Sequence, residues 1–371
     1  MSGTPLKVLY LIGSFRQGGA EKNITQILSH ADATCIAPEV ACFEAGGAYV
    51  PVVERLGVPV HVLGVRAPLV GVRNLGPLLR LAALVRRRRI DILHSYLVAA
   101  NIFAAVAAWL ARVPHIASLR SANSRESPRL LRAHLWALRR ARGVVAVSAE
   151  ARRTYAGRGI DPDKITVIEN GVEVVEAGET QAESRRYFDL PASGRIITSV
   201  ANLGPEKDHA TLLQAARSVI VRHPSAFFAL AGTGPMQAEV EQQVKALRLE
   251  DHVRLLGHVR DVRRLLNATD IFCLTSLVEG MSNALLEAMA AGLPAVVTDA
   301  GSNARLVVDG ETGRVVPVRD PRALAAALDP LVGSAALAAP MGQAARDRAV
   351  EEFSIERMIA TLQGRYAGVV A

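Results

Sequence analysis

Two glutamates eight residues apart, Glu279 and Glu287, are the side chains with the clearest capacity for chemistry. The segment around them follows an apolar run at 271–274, which predicts a buried strand, and then enters a strongly helix-forming stretch. Ser282 is a suitable N-cap for that helix, and a Gly and a Pro at 292 and 294 favour its end. The sequence therefore predicts a strand, a loop and a helix with a carboxylate on each side of the helix start.

The start of such a helix offers backbone N–H groups without partners, and these groups can bind a phosphate. We expect them to come from Met281, Ser282, Asn283 and Ala284. Carboxylates on both sides of an anion site suit a ligand in which a diphosphate lies between hydroxyl-bearing groups. The alternative is an ordinary strand-loop-helix unit, because the helix dipole alone favours a glutamate near a helix start.

Two further stretches have residue types that suit an anion. The first strand-to-helix turn, 13–21, contains Gly18 and Gly19, which allow a ligand to approach the backbone closely. It does not match a dinucleotide fingerprint, so a simple glycine turn stays open. Lys207 follows an apolar strand pattern and a Gly-Pro turn, and it lies near a predicted helix start where it can meet a diphosphate.

The pattern E-G-x-x-N-x-x-L-E-A-M-A-x-G-x-P at 279–294 resembles the E-x7-E motif of retaining glycosyltransferases of family 4. The resemblance implies a GT-B fold, in which two doubly wound, Rossmann-like domains face each other across a cleft. It also implies a nucleotide-sugar co-substrate and no further cofactor. No metal is expected, because Asp161 and Asp163 fit an ordinary turn and no His/Cys/Asp cluster elsewhere in the sequence suggests one. In this interpretation Glu279 holds hydroxyls of the donor sugar, and Glu287 holds the ribose.

Other motifs of the family are matched only in part. Lys207 matches the basic residue of G-R-L-x-x-x-K, whereas Asn202 stands where Arg is usual. His94 matches the first histidine of D-x-x-H-x-H and is expected to end its strand, where it could serve catalysis; a satisfied polar core residue is the alternative. Arg120 replaces a histidine, and because arginine cannot act as a base we expect it to bind the donor.

The chain of 371 residues is long enough for two domains. We expect an acceptor-binding domain at 1–185, a donor-binding domain at 186–352 and a helix at 353–371 that packs back on the first, with a polar linker at 174–194. The start has no leader pattern, and the apolar stretch 97–111 is too short for a bilayer span. Three scattered cysteines fit a reduced cytoplasm, and Asp161 and Asp163 fit an ordinary turn.

The basic excess lies in the first half, where residues 1–190 contain 25 Lys and Arg against 16 Asp and Glu. Residues Arg125–Arg142 predict a basic amphipathic helix with Trp136 within its stripe. One hypothesis is contact with an anionic membrane surface, and the alternative is a solvated helix face. Nucleic acid is not expected as a partner, because aromatic residues do not interleave with the arginines.

The resulting hypothesis is a retaining, metal-independent glycosyltransferase of cell-surface polysaccharide or glycolipid synthesis, cytoplasmic and peripheral on the membrane. Two alternatives stay open. One is a nucleotide-sugar epimerase of the same fold, and the other is a non-catalytic, membrane-associated subunit.

Overall fold

A computed structural model describes residues 4–16, 18–66, 72–121, 127–176 and 178–370. The strands are β1 (Leu6–Ile12), β2 (Ile36–Cys42), β3 (Val60–Val62), β4 (Ile92–Tyr96), β5 (His115–Leu119), β6 (Gly143–Ala146), β7 (Ile165–Val167), β8 (Ile196–Val200), β9 (Phe227–Ala231), β10 (Val253–Gly257), β11 (Ile271–Leu274), β12 (Ala295–Thr298) and β13 (Gly313–Val316). The helices are α1 (Gly19–His30), α2 (Val50–Arg55), α3 (Leu75–Arg88), α4 (Val98–Ala111), α5 (Pro128–Arg140), α6 (Ala149–Gly157), α7 (Gln181–Tyr187), α8 (His209–Arg222), α9 (Gln237–Ala246), α10 (Val262–Asn267), α11 (Asn283–Ala290), α12 (Asn303–Leu306), α13 (Pro321–Gly333), α14 (Ala335–Phe353) and α15 (Ile355–Val370).

The chain divides into two compact units. Unit 1 comprises Met1–Gly171 together with Ile355–Ala371, and unit 2 comprises Val172–Ser354. The first division therefore lies earlier in the chain than the boundary expected between 185 and 186. Helix α15 belongs to unit 1, where Ile359 and Tyr366 share a core with residues of β1.

Unit 1 contains a sheet in the order β3-β2-β1-β4-β5-β6-β7, and its strand pairs are parallel. Alternate residues of β1 enter different cores. Val8, Tyr10 and Ile12 pack with α1 and α15, whereas Leu9 and Leu11 pack with α3 and α4. Burial on both faces explains why this strand is continuously apolar, as a covered parallel sheet requires.

Unit 2 contains a parallel sheet in the order β10-β9-β8-β11-β12-β13. Ile197 of β8 packs with helices α8 and α13, and its neighbour Ile196 packs in a second cluster with Leu265 of α10. Both faces of this sheet are therefore covered as well. The expectation of two doubly wound parallel sheets is confirmed.

The segment predicted as a polar linker, 174–194, contains helix α7 instead. Thr180 and Glu183 form a capping box at its start, and Arg185 forms an ion pair with Asp270 at 2.6 Å beside β11. The polar composition of α7 concealed it, since a short helix held by capping and ion pairs needs little apolar surface. This segment is part of unit 2 rather than a connection between units.

Among the described residues, no single helix is long and apolar enough to cross a bilayer. The pair α13 and α14, which is bent by 105° at its break, meets the length and composition criteria only when taken together.

Candidate active site

The carboxyl ends of β8 and β11 lie side by side in the centre of the sheet of unit 2. From β8 the chain proceeds outward through β9 and β10, and it then returns to β11 and continues in the opposite direction. Ligands of doubly wound sheets bind at such a reversal of strand order, outside the carboxyl ends of the strands. The loops that follow β8 and β11 are therefore the first place to look for a site.

These two loops bring Lys207 and Glu279 into contact. The Lys207 Nζ atom lies 2.5 Å from Oε2 of Glu279, and the two side chains are 15% and 13% exposed. Ser276 joins them, since Nζ donates to its Oγ at 3.4 Å and that hydroxyl donates to Glu279 at 3.0 Å. The structure thus combines a cation and a carboxylate, 72 positions apart in sequence, in one partly buried cluster.

Backbone contacts hold the two loops against each other. The Thr275 hydroxyl donates to the carbonyl of Lys207 at 2.8 Å, and the Leu277 N–H donates to the carbonyl of Glu206 at 2.8 Å. Because the main chain beside each charged side chain is fixed by the other loop, Lys207 and Glu279 are positioned by the fold rather than by their own attraction.

Two glycines permit the close packing around this cluster. Gly301, after β12, has φ +59°, and a Cβ there would overlap the carbonyl of Glu279. Gly232, after β9, has φ +145°, and a Cβ there would overlap the carbonyl of Ala201 in the loop after β8. Glycine at both positions thus lets neighbouring loops support the main chain at the site.

Helix α11 begins where the sequence predicts, with Ser282 as its N-cap. The Ser282 hydroxyl accepts a hydrogen bond from the Leu285 N–H at 3.2 Å. Asn283 and Ala284 form the first turn and are half-buried, and Met281 is buried in the loop before it. Glu287 is half-buried in the second turn of the same helix. The expected helix start therefore follows directly on the loop that carries Glu279.

The contacts of Asn202 and Ser276 differ from what the sequence predicted. Asn202 is exposed, and its side-chain amide donates to Oε1 of Glu206 at 3.0 Å. Its hydrogen-bond partner is therefore a glutamate of its own loop. Ser276 is fully buried and contacts both charged groups, but sequence reasoning assigned it no role. The available signal was its position as a small polar residue just beyond the apolar run of β11.

Unit 1 has its own reversal of strand order between β1 and β4, and the turn after β1 carries Gly18 and Gly19. Gly18 is the extended N-cap of α1, and Gly19 is its first residue. The side chain of Glu21 folds back over Gly18 and is nine-tenths buried. Burial raises the pKa of Glu21, and the charge of Arg120 partly opposes that rise.

Arg120 follows β5 at the same edge of the sheet. Its Nη2 donates to Oδ1 of Asn170 at 2.5 Å, and its guanidinium lies 5.8 Å from the centre of the Tyr96 ring. Arg120 and Glu21 thus lie at the same carboxyl edge of unit 1, where the Arg120 charge favours the ionised form of Glu21. The sequence predicted a donor-binding role for Arg120, whereas Glu21, the last residue of the glycine turn 13–21, was not among the predicted site residues.

The expected position of His94 is wrong. Strand β4 continues two residues further, to Tyr96, so His94 lies inside the strand and is fully buried. Its Nδ1 lies 2.6 Å from the Tyr366 hydroxyl, and its Nε2 lies 2.8 Å from the Ser118 hydroxyl. Burial, followed by the nearby His115 and Arg120, holds the pKa of His94 well below its usual value. With both ring nitrogens engaged, a neutral core residue describes His94 better than a catalytic one.

The predicted basic helix at 125–142 is present as α5, Pro128–Arg140, whereas Arg125 lies outside the described residues. Its basic stripe is exposed, and Trp136 is 40% exposed with Arg140 stacked 4.9 Å from its ring centre. Leu138, on the other face, is fully buried. The described portion of the chain contains no group of three or more His, Cys, Asp or Glu placed to hold a metal ion.

Two family models match the chain, one in each half. The model described as Glycosyltransferase Family 4 matches residues 17–176, and the one described as Glycosyl transferases group 1 matches residues 180–348. The matched ranges contain Gly18, Gly19 and Arg120 in the first half, and Lys207, Glu279 and Glu287 in the second.

Curated relatives and a solved structure agree with these matches. The chain is 25% identical over 316 residues to the Escherichia coli UDP-Gal:alpha-D-GlcNAc-diphosphoundecaprenol alpha-1,3-galactosyltransferase, covering 81% of each chain. It is 33% identical over 190 residues, 50% of this chain and 47% of the other, to a phosphatidyl-myo-inositol mannosyltransferase of Mycolicibacterium smegmatis. The crystal structure of Anabaena HepE with UDP and glucose has a TM-score of 0.88 at 23% identity, covering 98% of this chain and all of that one.

The structural neighbours are GT-B glycosyltransferases, which confirms the expected fold. The two family models, which between them match residues 17–176 and 180–348, show that the chain belongs to glycosyltransferase family 4.

Proposed function

We propose that this protein transfers a sugar from a UDP-sugar to a hydroxyl group of a lipid-linked saccharide, with retention of anomeric configuration. The observation that carries the proposal is the cluster of Lys207, Ser276 and Glu279 beside the start of α11. It offers a cation and backbone amides to a diphosphate, and a carboxylate to sugar hydroxyls.

Each group has a distinct part in the proposed reaction. Lys207 and the amides of Met281–Ala284 stabilise the negative charge that develops on the leaving diphosphate. Glu279 accepts hydrogen bonds from hydroxyls of the transferred sugar, and Glu287 accepts them from the ribose. Each such charged hydrogen bond contributes roughly 1.5–3 kcal/mol.

The covalent change requires little from the protein itself. The bond from the anomeric carbon to the diphosphate oxygen breaks, and the acceptor oxygen forms its bond on the same face. The acceptor proton passes to the departing phosphate, which therefore acts as the base. Since Lys207 and the amides can neutralise the leaving group, we propose that no metal ion is required.

The donor and acceptor classes are proposed from the relatives. The Escherichia coli relative is named for UDP-Gal and a diphosphoundecaprenol acceptor, and the Anabaena structure holds UDP and glucose. A UDP-sugar and a lipid-linked saccharide are the simplest reagents consistent with both. We further propose a cytoplasmic protein that meets anionic lipid through unit 1, since the basic excess lies in residues 1–190.

A donor screen tests this proposal. Thermal shift against UDP-, GDP- and ADP-sugars identifies the nucleotide, because a ligand that binds the folded state raises the melting temperature. Turnover of the selected donor is then measured with and without lipid-linked saccharide acceptors, in buffer containing EDTA. Transfer that requires the acceptor and persists in EDTA is the expected result.

The variant Glu279→Ala is expected to lower the rate of transfer by about 10²–10³, as loss of an electrostatic contact does. A rate close to the wild type would remove Glu279 from the site. Donor conversion without acceptor would favour an epimerase, and the absence of any turnover with every donor would favour a non-catalytic subunit.

A further inference from the structure

Unit 1 contains a cavity of about 760 Å³ at the amino edge of its sheet, opposite the edge that carries Gly18 and Arg120. Its wall is formed by residues at the C-terminal ends of α3, α4 and α5 and by the start of β5. This volume lies within the range of roughly 300–1,000 Å³ that is usual for ligand pockets.

The charged residues in the wall of this cavity are all basic. They are Arg86, Arg112, Arg140, Arg142 and Lys164. None of them forms an ion pair with a carboxylate of the described residues, although Arg88, two positions beyond the first of them, pairs with Glu39 at 2.9 Å. The cavity therefore concentrates positive charge that the described residues do not neutralise.

The negative ends of the helix dipoles can balance only part of this positive charge. Three helices end at the cavity, and each C-terminus carries about half a negative charge, or about 1.5 in total. The Arg86 side chain donates to the carbonyl of Leu110, and Lys164 Nζ donates to the carbonyl of Arg139 at 3.1 Å. These carbonyl contacts use two of the cations, whereas Arg112 and Arg142 are exposed, and neither guanidinium forms a hydrogen bond or ion pair with another described residue. A net positive charge is left for an anion from outside.

A buried histidine in the same wall has an unused ring nitrogen. His115 is 4% exposed, and its Nε2 lies 2.8 Å from the hydroxyl of Ser95, which in turn donates to Asn101 at 2.7 Å. Ser95 therefore receives the proton of Nε2, which leaves Nδ1 unprotonated. Among the described residues no group donates to Nδ1, so the wall of the cavity contains a histidine with one unused acceptor.

Both tryptophans of the chain lie at this cavity or beside it. Trp109 is in its wall and is 68% exposed, and Trp136 is 40% exposed and stacks on Arg140. Large exposed tryptophans next to arginines are typical of protein surfaces that enter the headgroup region of a bilayer. A small soluble anion would not account for apolar side chains exposed to this extent.

We propose that this cavity binds the phosphate of an anionic phospholipid headgroup, with Trp109 and Trp136 inserted at the bilayer surface. The contact therefore lies at the helix ends around Arg112 and Arg142, rather than along the whole stripe of α5. This site rests on the lipid contact proposed above for unit 1 and gives it a location. It is separate from the proposed donor site in unit 2 and does not depend on the identity of the donor.

The test is co-sedimentation of the full chain with vesicles of phosphatidylcholine alone or with added phosphatidylglycerol. The double variant Arg112→Asn/Arg142→Gln removes two cations of the cavity; Asn suits position 112, where φ is +58°. Each basic residue near an anionic surface contributes about 1 kcal/mol, so partitioning is expected to fall about thirtyfold. Trp109→Ala is expected to weaken partitioning severalfold.

The matched control is Arg129→Gln/Arg132→Gln, which removes the same charge from exposed positions of α5 that do not line the cavity. It is expected to reduce partitioning far less. Equal losses in the two double variants would overturn the proposal in favour of a general basic surface. Unchanged partitioning of the cavity variant would overturn it as well.

A competition experiment distinguishes the lipid from a free phosphate. Millimolar inorganic phosphate or glycerol phosphate is expected to displace the protein only weakly from the vesicles at constant ionic strength. Tight binding of glycerol phosphate without any vesicle binding would instead make this a site for a soluble ligand. UDP binding by unit 2 should be the same in all variants, which separates a failure here from a failure of the proposed function.

Discussion

Removing the charge of Glu279 while keeping its shape is expected to strengthen the binding of UDP and to weaken glycosyl transfer. In Glu279→Gln, Lys207 loses its charged partner at 2.5 Å and is left with neutral acceptors, the new amide oxygen and the Ser276 hydroxyl at 3.4 Å. The diphosphate of UDP attracts the lysine that is released from this ion pair. Because UDP carries no sugar to be transferred, it makes no hydrogen bond to residue 279 that the substitution could weaken.

The size of this gain follows from the ion pair. Two unit charges 2.5 Å apart attract by about 7 kcal/mol at an effective dielectric constant of about 20. Most of that energy is offset by lost hydration, since the side chains are only 15% and 13% exposed. A net cost of about 1.4 kcal/mol for separating the pair is reasonable, and removing that cost lowers the Kd for UDP about tenfold.

The opposite change is expected when the lysine is removed. Lys207→Met should raise the Kd for UDP by about tenfold to a hundredfold, because a charge-assisted hydrogen bond contributes roughly 1.5–3 kcal/mol. In the double variant Lys207→Met/Glu279→Gln, the charge change at 279 should no longer improve affinity. The two positions would then be coupled rather than additive.

Isothermal titration calorimetry with UDP at low ionic strength measures these affinities, and kcat is measured with the complete donor. Arg222→Met is the control, because it breaks the pair with Asp329, 2.6 Å away, at the far end of α8. It should leave the Kd unchanged. The reasoning is refuted if Glu279→Gln binds UDP no better than the wild type while Lys207→Met binds it equally well.

Three further predictions follow from the packing of each unit. Gly301→Ala should lower both the rate of transfer and the melting temperature more than Gly310→Ala does. Both residues have positive φ, but only a side chain at position 301 would meet the carbonyl of Glu279. Equal effects of the two variants on transfer would contradict the proposed support of the Glu279 loop by Gly301. Burial lowers the pKa of His115 to about 3, so below about pH 6.5 the unfolded chain binds more protons than the folded chain. The free energy of unfolding measured with urea should therefore fall by about 2 kcal/mol between pH 7 and pH 5. His94 acts in the same direction, and a free energy of unfolding that does not change over this range would contradict the burial of both histidines in the neutral form. A fragment of Val172–Ser354 should unfold cooperatively and bind UDP in calorimetry, since it is contiguous and has its own core; a fragment that folds but does not bind UDP would move the nucleotide site away from Lys207.

The elements of the candidate site were predictable where their signals are local. The start of α11 depends on Ser282 and its neighbours, which sequence reasoning can evaluate without knowing the rest of the chain. The contact of Lys207 with Glu279 is different, because it needs β8 and β11 to be neighbours in the sheet. Such an order follows from the family resemblance, but the distance between two side chains 72 positions apart does not.

His94 shows why the remaining features could not be predicted. A shift of two residues in the end of β4 moves this side chain from the edge of the sheet to its interior. What covers it is Tyr366, which is 272 positions away and does not reveal its contact in the sequence. The basic cavity was missed for the same reason, since its cations come from separate helix ends whose proximity depends on the tertiary fold.

The hydroxyl of Tyr366 also donates to that of Tyr10 at 3.0 Å, across 356 positions of sequence. During synthesis, the ribosome therefore releases all of Val172–Ser354 before α15 can reach the first strand of unit 1. When residue 354 has been added, all residues of unit 2 have been synthesised, whereas one face of the unit 1 sheet still lacks helix α15. A chain truncated after Ser354 should hence keep unit 2 resistant to protease and leave unit 1 the more readily digested of the two.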